Sequence, residues 1–251
     1  MIGKKIIPVI FRKLFITICF VLYLSNYSFS QLEQIRVFSD YSFANTKRLA
    51  TVKADAAGGG IGVSFNLFEN FSLGVQVGYN LYSVNQDSAL NQWNWDFWEY
   101  RYKGNARNDT ASDPNLSSRI DVIQKMDAIP VVLTISYKIP LMEGLDIRPT
   151  IGGGILYYSR RLFLEEHWKK VYPAYNDYTF EYSYRNFAPN KTGTPFIFVY
   201  GYNMNYRVSE ILSISGDIFY NYIIVTKGKY GYDDLPINDA FSFKLGITFL
   251  Y

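Results

Sequence analysis

The constraint that most limits what this chain can become is a strict two-residue alternation over its last stretch, residues 241–251. Phe241, Phe243, Leu245, Ile247, Phe249 and Tyr251 fall on one phase. Ser242, Lys244, Gly246 and Thr248 fall on the other, where Leu250 is the only large apolar residue. A period of two places these sets on opposite faces of a β-strand. One face is then apolar and aromatic to its last residue. The other is small and polar, with a single charge. An apolar face of this kind must meet either a protein core or hydrocarbon.

The same rhythm recurs upstream. Arg36 to Ala44 sets Val37, Tyr41 and Phe43 against Arg36, Asp40 and Ser42. Residues 61–67 and 71–81 alternate around a tight turn at Phe68-Glu-Asn70, which reads as a hairpin. Further alternating runs are expected at 129–139, 145–158, 196–206 and 212–224. Pro130 cannot donate to a ladder, so a strand start or a bulge is expected there. With the closing run this makes eight strands. Their connections alternate between long polar segments (45–57, 83–125, 159–194, 226–239) and tight turns (68–70, 140–144, 207–210).

Charge gives an independent check of phase. Within strands two to eight, Lys138, Asp146, Arg148, Asp217 and Lys244 all lie on the polar phase. A soluble barrel would carry its apolar phase inward and an outer phase rich in Lys and Glu. Here the polar phase is Gly, Ser, Thr and Asn, which suits a crowded lumen. The expectation is an all-β, eight-stranded antiparallel up-and-down transmembrane β-barrel with its apolar phase in lipid. Aromatic residues make up 18% of the chain, which suits interfacial girdles.

Residues 1–30 read as a secretory signal, with Lys4, Lys5, Arg12 and Lys13 before the short apolar run 14–24 and small residues at Ser28 and Ser30. Cleavage is expected between Ser30 and Gln31, leaving 31–251 as one barrel with four long extracellular loops. The formal charge of +3 for the whole chain owes its sign to the four basic residues of that signal. No nucleic-acid partner is therefore implied. The single cysteine, Cys19, leaves with the signal, so neither a disulfide framework nor thiol chemistry is expected.

The carboxy-terminal strand resembles the assembly signature of bacterial outer-membrane barrels, carried here by Phe243, Leu245, Ile247, Phe249 and Tyr251, with Tyr where Phe is usual. The chain as a whole resembles the small eight-stranded outer-membrane proteins of Gram-negative bacteria, the "outer membrane protein β-barrel domain" group. The resemblance implies residence in the cell outer membrane, contact with its lipid, handling by the barrel-assembly machinery and a monomer. It implies a location more than an activity, because such groups include structural, adhesive and secretion-linked proteins.

Candidate sites are few. Asp146, Arg148, Asp217 and Lys244 are expected to share the lumen, either as a polar gate of a narrow pore or as a compensated network that fills the barrel. Trp93, Trp95, Trp98 and Tyr100, with Phe97 and Tyr102, form an aromatic cluster in the second long loop. They read as a platform for a glycan or protein ligand, or as a hairpin continuing above the membrane. His167 stands in Glu165-Glu-His-Trp168 as the only histidine, and reads most simply as an exposed loop residue. The triple glycines 58–60 and 152–154 lack a helix-opening context, so they relieve crowding rather than hold phosphate. No catalytic, cofactor or metal set is read. The expected role is structural or loop-mediated binding, with a narrow channel for small solutes or a lipid-modifying enzyme as alternatives.

Overall fold

The computed structural model describes residues 32–87 and 89–251. The signal segment and its cleavage position lie outside them. The strands are β1 (Leu32–Ala44), β2 (Thr51–Phe68), β3 (Phe71–Gln86), β4 (Leu116–Tyr137), β5 (Ile139–Met142), β6 (Leu145–Tyr172), β7 (Tyr178–Phe187), β8 (Lys191–Gly193), β9 (Phe196–Arg207), β10 (Leu212–Ile223) and β11 (Asp239–Leu250). Helix α1 (Ala89–Trp93), a π-helical turn (Phe97–Tyr102) and α2 (Lys103–Ser112) fill the connection between β3 and β4.

Among the described residues, eight strands pair antiparallel in the ring β1-β2-β3-β4-β6-β9-β10-β11, and β11 returns to β1. The closing ladder runs from Gln34 opposite Leu250 to Ala44 opposite Ala240. Closure follows from the alternation. A face made of Val, Ile, Leu and Phe is stable in hydrocarbon only if each backbone polar group is bonded within the protein, since an orphan there costs several kcal/mol.

The phases fall as the sequence requires. Val37 (51%), Ile61 (57%), Leu245 (70%) and Ile247 (51%) are exposed on the outer wall, while Ser242 and Thr248 are buried inside. Glycine lets the inner wall close up. A Cβ on Gly154 would lie 1.9 Å from the carbonyl oxygen of Val131 on β4, and one on Gly60 would meet both the Val77 carbonyl at 2.3 Å and the Phe38 ring at 2.7 Å. Phe38, turned inward, therefore has room only because β2 carries glycine opposite it.

Three expectations need correction. The polar segment 45–57 is a loop only over 45–50, because β2 starts at Thr51. Ala54 and Ala56 face inward, while Lys53 and Asp55 face outward and pair at 2.6 Å, so a polar outer face marks a strand that has left the lipid. The segments 83–125 and 159–194 are likewise largely ordered. β4 and β6 continue past the barrel and stay paired from Asp127 opposite Ser159 up to Leu116 opposite Lys170, and β7 adds a third strand along the far edge of β6. Finally, Pro130 neither starts a strand nor causes a bulge. The β3–β4 ladder drops the pairs at Gly78 and Tyr79 and resumes in the same register, so the missing donor costs two rungs only.

This arrangement predicts opposite tolerances on the two faces of β11. Ile247→Arg places a cation in hydrocarbon and should cost about 2–4 kcal/mol if the site lies near the midplane, whereas Ile247→Leu should be close to neutral. Urea unfolding in lipid vesicles measures both. An Ile247→Arg protein as stable as the parent would mean that this face does not meet lipid.

Candidate functional site

The lumen is organised by β1. Arg36 donates to Asp217 at 2.7 Å, and Asn203 also donates to that carboxylate. Arg148 donates to Asp146 at 2.7 Å and to Glu33 at 2.6 Å. Asn205 supports Asp146 at 3.1 Å, and Ser72 supports Glu33 at 2.6 Å. Asp40 is held by Asn80 at 3.0 Å and Ser42 at 3.1 Å. Glu33 has the odd number of an outward position on β1. A register shift between Leu32 and Gln34 breaks the alternation at that point, and its carboxylate meets Arg148 inside.

The four residues expected in the lumen are all there, but they do not form one cluster. Asp146 and Arg148 pair directly. Asp217 and Lys244 are cross-strand neighbours, yet Asp217 bonds Arg36 instead. The Lys244 ammonium donates to Gln76 at 3.1 Å and lies between two rings, 4.6 Å from the centre of Phe38 and 5.1 Å from that of Phe219. An ammonium over aromatic faces is partly compensated by their quadrupoles. Glu33, Arg36 and Asp40 complete the set. The alternation of β1 already put Arg36 and Asp40 on the polar phase, which was the available signal for them.

These contacts fill the barrel. A vestibule of about 310 Å³ opens at the tight-turn end beside Glu33, Asp146 and Arg148; deeper in, among the described residues, lie small cavities of about 20 Å³ beside Arg36 and Arg148 and about 50 Å³ beside Asp40 and Lys244. The two smaller spaces hold a few waters at most. Towards the long-loop end the lumen turns apolar. Tyr232, Leu235 and Ile237, from the β10–β11 connection, pack into the mouth against Tyr82, Met126, Tyr158, Ile197 and Ile223. Arg160 locks this plug. Its guanidinium donates to the carbonyl of Asp234 and to the side-chain oxygens of Gln86 and Gln124, and it lies 4.9 Å from the Trp93 ring centre. Burial lowers its pKa to about 10, with Tyr158 and Asp234 pulling the other way.

Above the barrel, β4, β6 and β7 form a three-stranded sheet. Its inner face is capped by the helical connection. Trp93, Trp95 and Trp98 are buried there with Leu162, Leu164 and Ala188, and Trp93 donates to the Pro189 carbonyl at 3.0 Å. The aromatic cluster therefore lies in a largely helical connection rather than a hairpin, with Trp95 between its helical pieces, and three of its four named members are buried. Tyr100 alone is open, at 82% exposure. Burying three indoles against the sheet removes more apolar area from water than displaying them, so packing decides.

The outer face of this sheet is a ladder of cross-strand polar pairs. Arg161 meets Asp127 at 2.8 Å, Arg185 meets Glu165 at 2.9 Å, and Lys169 meets Glu181 at 3.4 Å. His167 lies within it. Its Nδ1 is 2.8 Å from Ser183 Oγ and its Nε2 is 3.6 Å from Asp121. These three come from three different strands, so no local motif could reveal them. Asp121 is also held by Arg119 at 2.9 Å, which leaves little of its charge to act on the imidazole.

No protein-family model matches the sequence, and no curated protein matches it. Solved structures share the architecture at low identity. Neisserial surface protein A is 10% identical with a TM-score of 0.42, covering 87% of this chain and 96% of that one. The outer membrane protein OprG from Pseudomonas aeruginosa is 11% identical with a TM-score of 0.44, covering 87% and 96%. Ail, the attachment invasion locus protein of Yersinia pestis, is 7% identical with a TM-score of 0.40, covering 88% and 100%. The class rests on the chain's own geometry: a closed antiparallel ring, apolar without and charge-paired within. It is a closed eight-stranded β-barrel of the membrane-spanning kind.

The lumen contacts predict strong coupling. Arg36→Met or Asp217→Asn alone leaves a buried partner uncompensated and should cost about 3–5 kcal/mol. The double variant should cost clearly less than the sum, by about 0.5–3 kcal/mol. Urea unfolding in vesicles gives the cycle, and strictly additive costs would mean that the two groups do not interact.

Proposed function

We propose that the closed barrel is a membrane anchor and that the extramembrane sheet is the working part, making contact with a protein or glycan outside the cell. The observation that carries this reading is β6, which runs from Leu145 in the barrel wall to Tyr172 at the hairpin tip without a break. A strand shared by wall and projection holds the projection rigidly. Sites on such elements are positioned more accurately than sites on free loops.

The rival readings have less support. A channel needs a continuous path, whereas this lumen is crossed by two ion-pair clusters and an apolar plug. Hydrolysis at His167 needs an unshared acid, a general base in reach of substrate and donors for an oxyanion. Here Asp121 is divided between Arg119 and His167, on the open face of a sheet.

The test is to shorten the hairpin. Trp168 and Tyr182 are cross-strand partners, so replacing residues 169–181 by Asn-Gly joins them through a two-residue turn and leaves the capped core in place. The variant should keep heat-modifiable gel migration and lose binding to intact cell surfaces. Undiminished binding would move the working part elsewhere. In planar bilayers the parent protein should show no steady openings, and sizeable steady conductance would revive the channel.

A further inference from the structure

Strand β7 is bonded to β6 along one edge, and its other edge has no partner among the described residues. The register with β6 is unbroken from Tyr178 to Phe187, and every residue from Tyr178 to Arg185 is exposed. The strand holds no Pro, no Gly and no bulge. A long, regular free edge is a template for another strand, and proteins that must stay apart usually blunt it.

The order of charges on β7 selects which strand fits. Thr179, Glu181, Ser183, Arg185 and Phe187 share the outer face, with Glu181 and Arg185 spaced equally about Ser183. An antiparallel second copy centred on Ser183 sets Glu181 opposite the copy's Arg185, and Arg185 opposite the copy's Glu181. On the inner face Tyr182 then meets the copy's Tyr184, extending a row in which Trp168, Tyr182 and Tyr184 already stack. Centring the pair on Glu181 or on Arg185 sets like charges opposite one another. Centring it on Tyr182 or Tyr184 leaves both charges opposite uncharged residues. Only the Ser183 centre satisfies both, and it continues the alternation of sign that begins on β6 with Glu165 and Lys169.

The topology fixes the geometry of such a pair. β7 runs from the hairpin tip back towards the barrel. An antiparallel two-fold stands perpendicular to the sheet, so the second copy is inverted end for end and its barrel lies beyond the tip. We propose that β7 is a self-recognition edge through which two copies in facing membranes join into one continuous sheet. This rests on the reading that the extramembrane sheet makes contact outside the cell, and it names the partner.

The experiment uses two differently labelled sets of vesicles carrying the full barrel, with tethering between sets as the readout. Parent vesicles should tether. Glu181→Arg alone and Arg185→Glu alone should each reduce tethering by about tenfold or more, because like charges then face each other twice. Mixing the two variants restores opposite charges at both positions and should restore tethering. That recovery also shows that each variant is folded. Ser183→Cys should form an intermolecular disulfide across the axis under mild oxidation, while Thr179→Cys, opposite Phe187 of the second copy, should not. Tethering by each single variant equal to that of the parent, or cross-linking at Thr179→Cys but not Ser183→Cys, would overturn the proposal. Parent vesicles that bind cell surfaces yet do not tether one another would overturn self-recognition while leaving the display reading intact. Binding to neither would remove both.

Discussion

The pairing of β1 with β11 is the contact on which everything else in this molecule depends. Hydrocarbon supplies no hydrogen-bond partners, so an open sheet edge within the membrane would leave a row of backbone groups unsatisfied. The ladder from Gln34–Leu250 to Ala44–Ala240 removes that edge. It also fixes the width of the lumen. Eight strands enclose a space just wide enough for side chains, so the interior must be packed rather than solvated. Glycine at positions such as 60 and 154 and the inward Phe38 and Phe219 are consequences of that width. So is the need to compensate each lumen ion, by a counter-ion for Arg36 with Asp217 and Arg148 with Glu33 and Asp146, and by Gln76 and two rings for Lys244. β1 thus closes the sheet and also brings Glu33, Arg36 and Asp40 into the lumen.

Where lipid ends, the rule for the outer face changes but the period does not. Lys53 with Asp55 and Asp127 with Arg161 mark the level at which outward residues become charged. Above it, β4 and β6 keep one face packed and the other wet, as in a soluble antiparallel sheet, while β7 is exposed on both faces up to Arg185. Trp93, Trp95 and Trp98 cover the packed face, and the plug at Leu235 and Ile237 seals the mouth below. The chain is therefore built in two solvent regimes joined by shared strands.

That division explains what could be read from residues alone. Within the bilayer the alternation is enforced by lipid on one side, so strand phase, turn positions and closure were legible from runs such as 71–81 and 241–251. The lumen members on β1 were half legible: Arg36 and Asp40 sit on the polar phase, but Glu33 enters through an irregularity that no period announces. Of the extension, β7 was legible as a strand, since Tyr178, Phe180, Tyr182 and Tyr184 alternate with Glu181, Ser183 and Arg185, whereas the upper parts of β4 and β6 were not. There the outer phase reads Arg119, Asp121, Glu165 and Lys169, so the same period carries charge in place of Val and Leu. The helical cap escaped for a different reason. Trp93, Trp95 and Phe97 share a parity that mimics a strand, and only tertiary burial against Leu162 and Leu164 favours helix there.

The phase of Ile247 lies in hydrocarbon while that of Phe219 lies in the lumen. The four native tryptophans, at 93, 95, 98 and 168, all belong to the extramembrane part and supply a constant background. Ile247→Trp and Phe219→Trp, each refolded into vesicles whose acyl chains are brominated near the bilayer centre, separate the two faces by fluorescence quenching. This assignment of faces predicts strong added quenching for Ile247→Trp and none for Phe219→Trp. Quenching of Phe219→Trp with Ile247→Trp unaffected would contradict it.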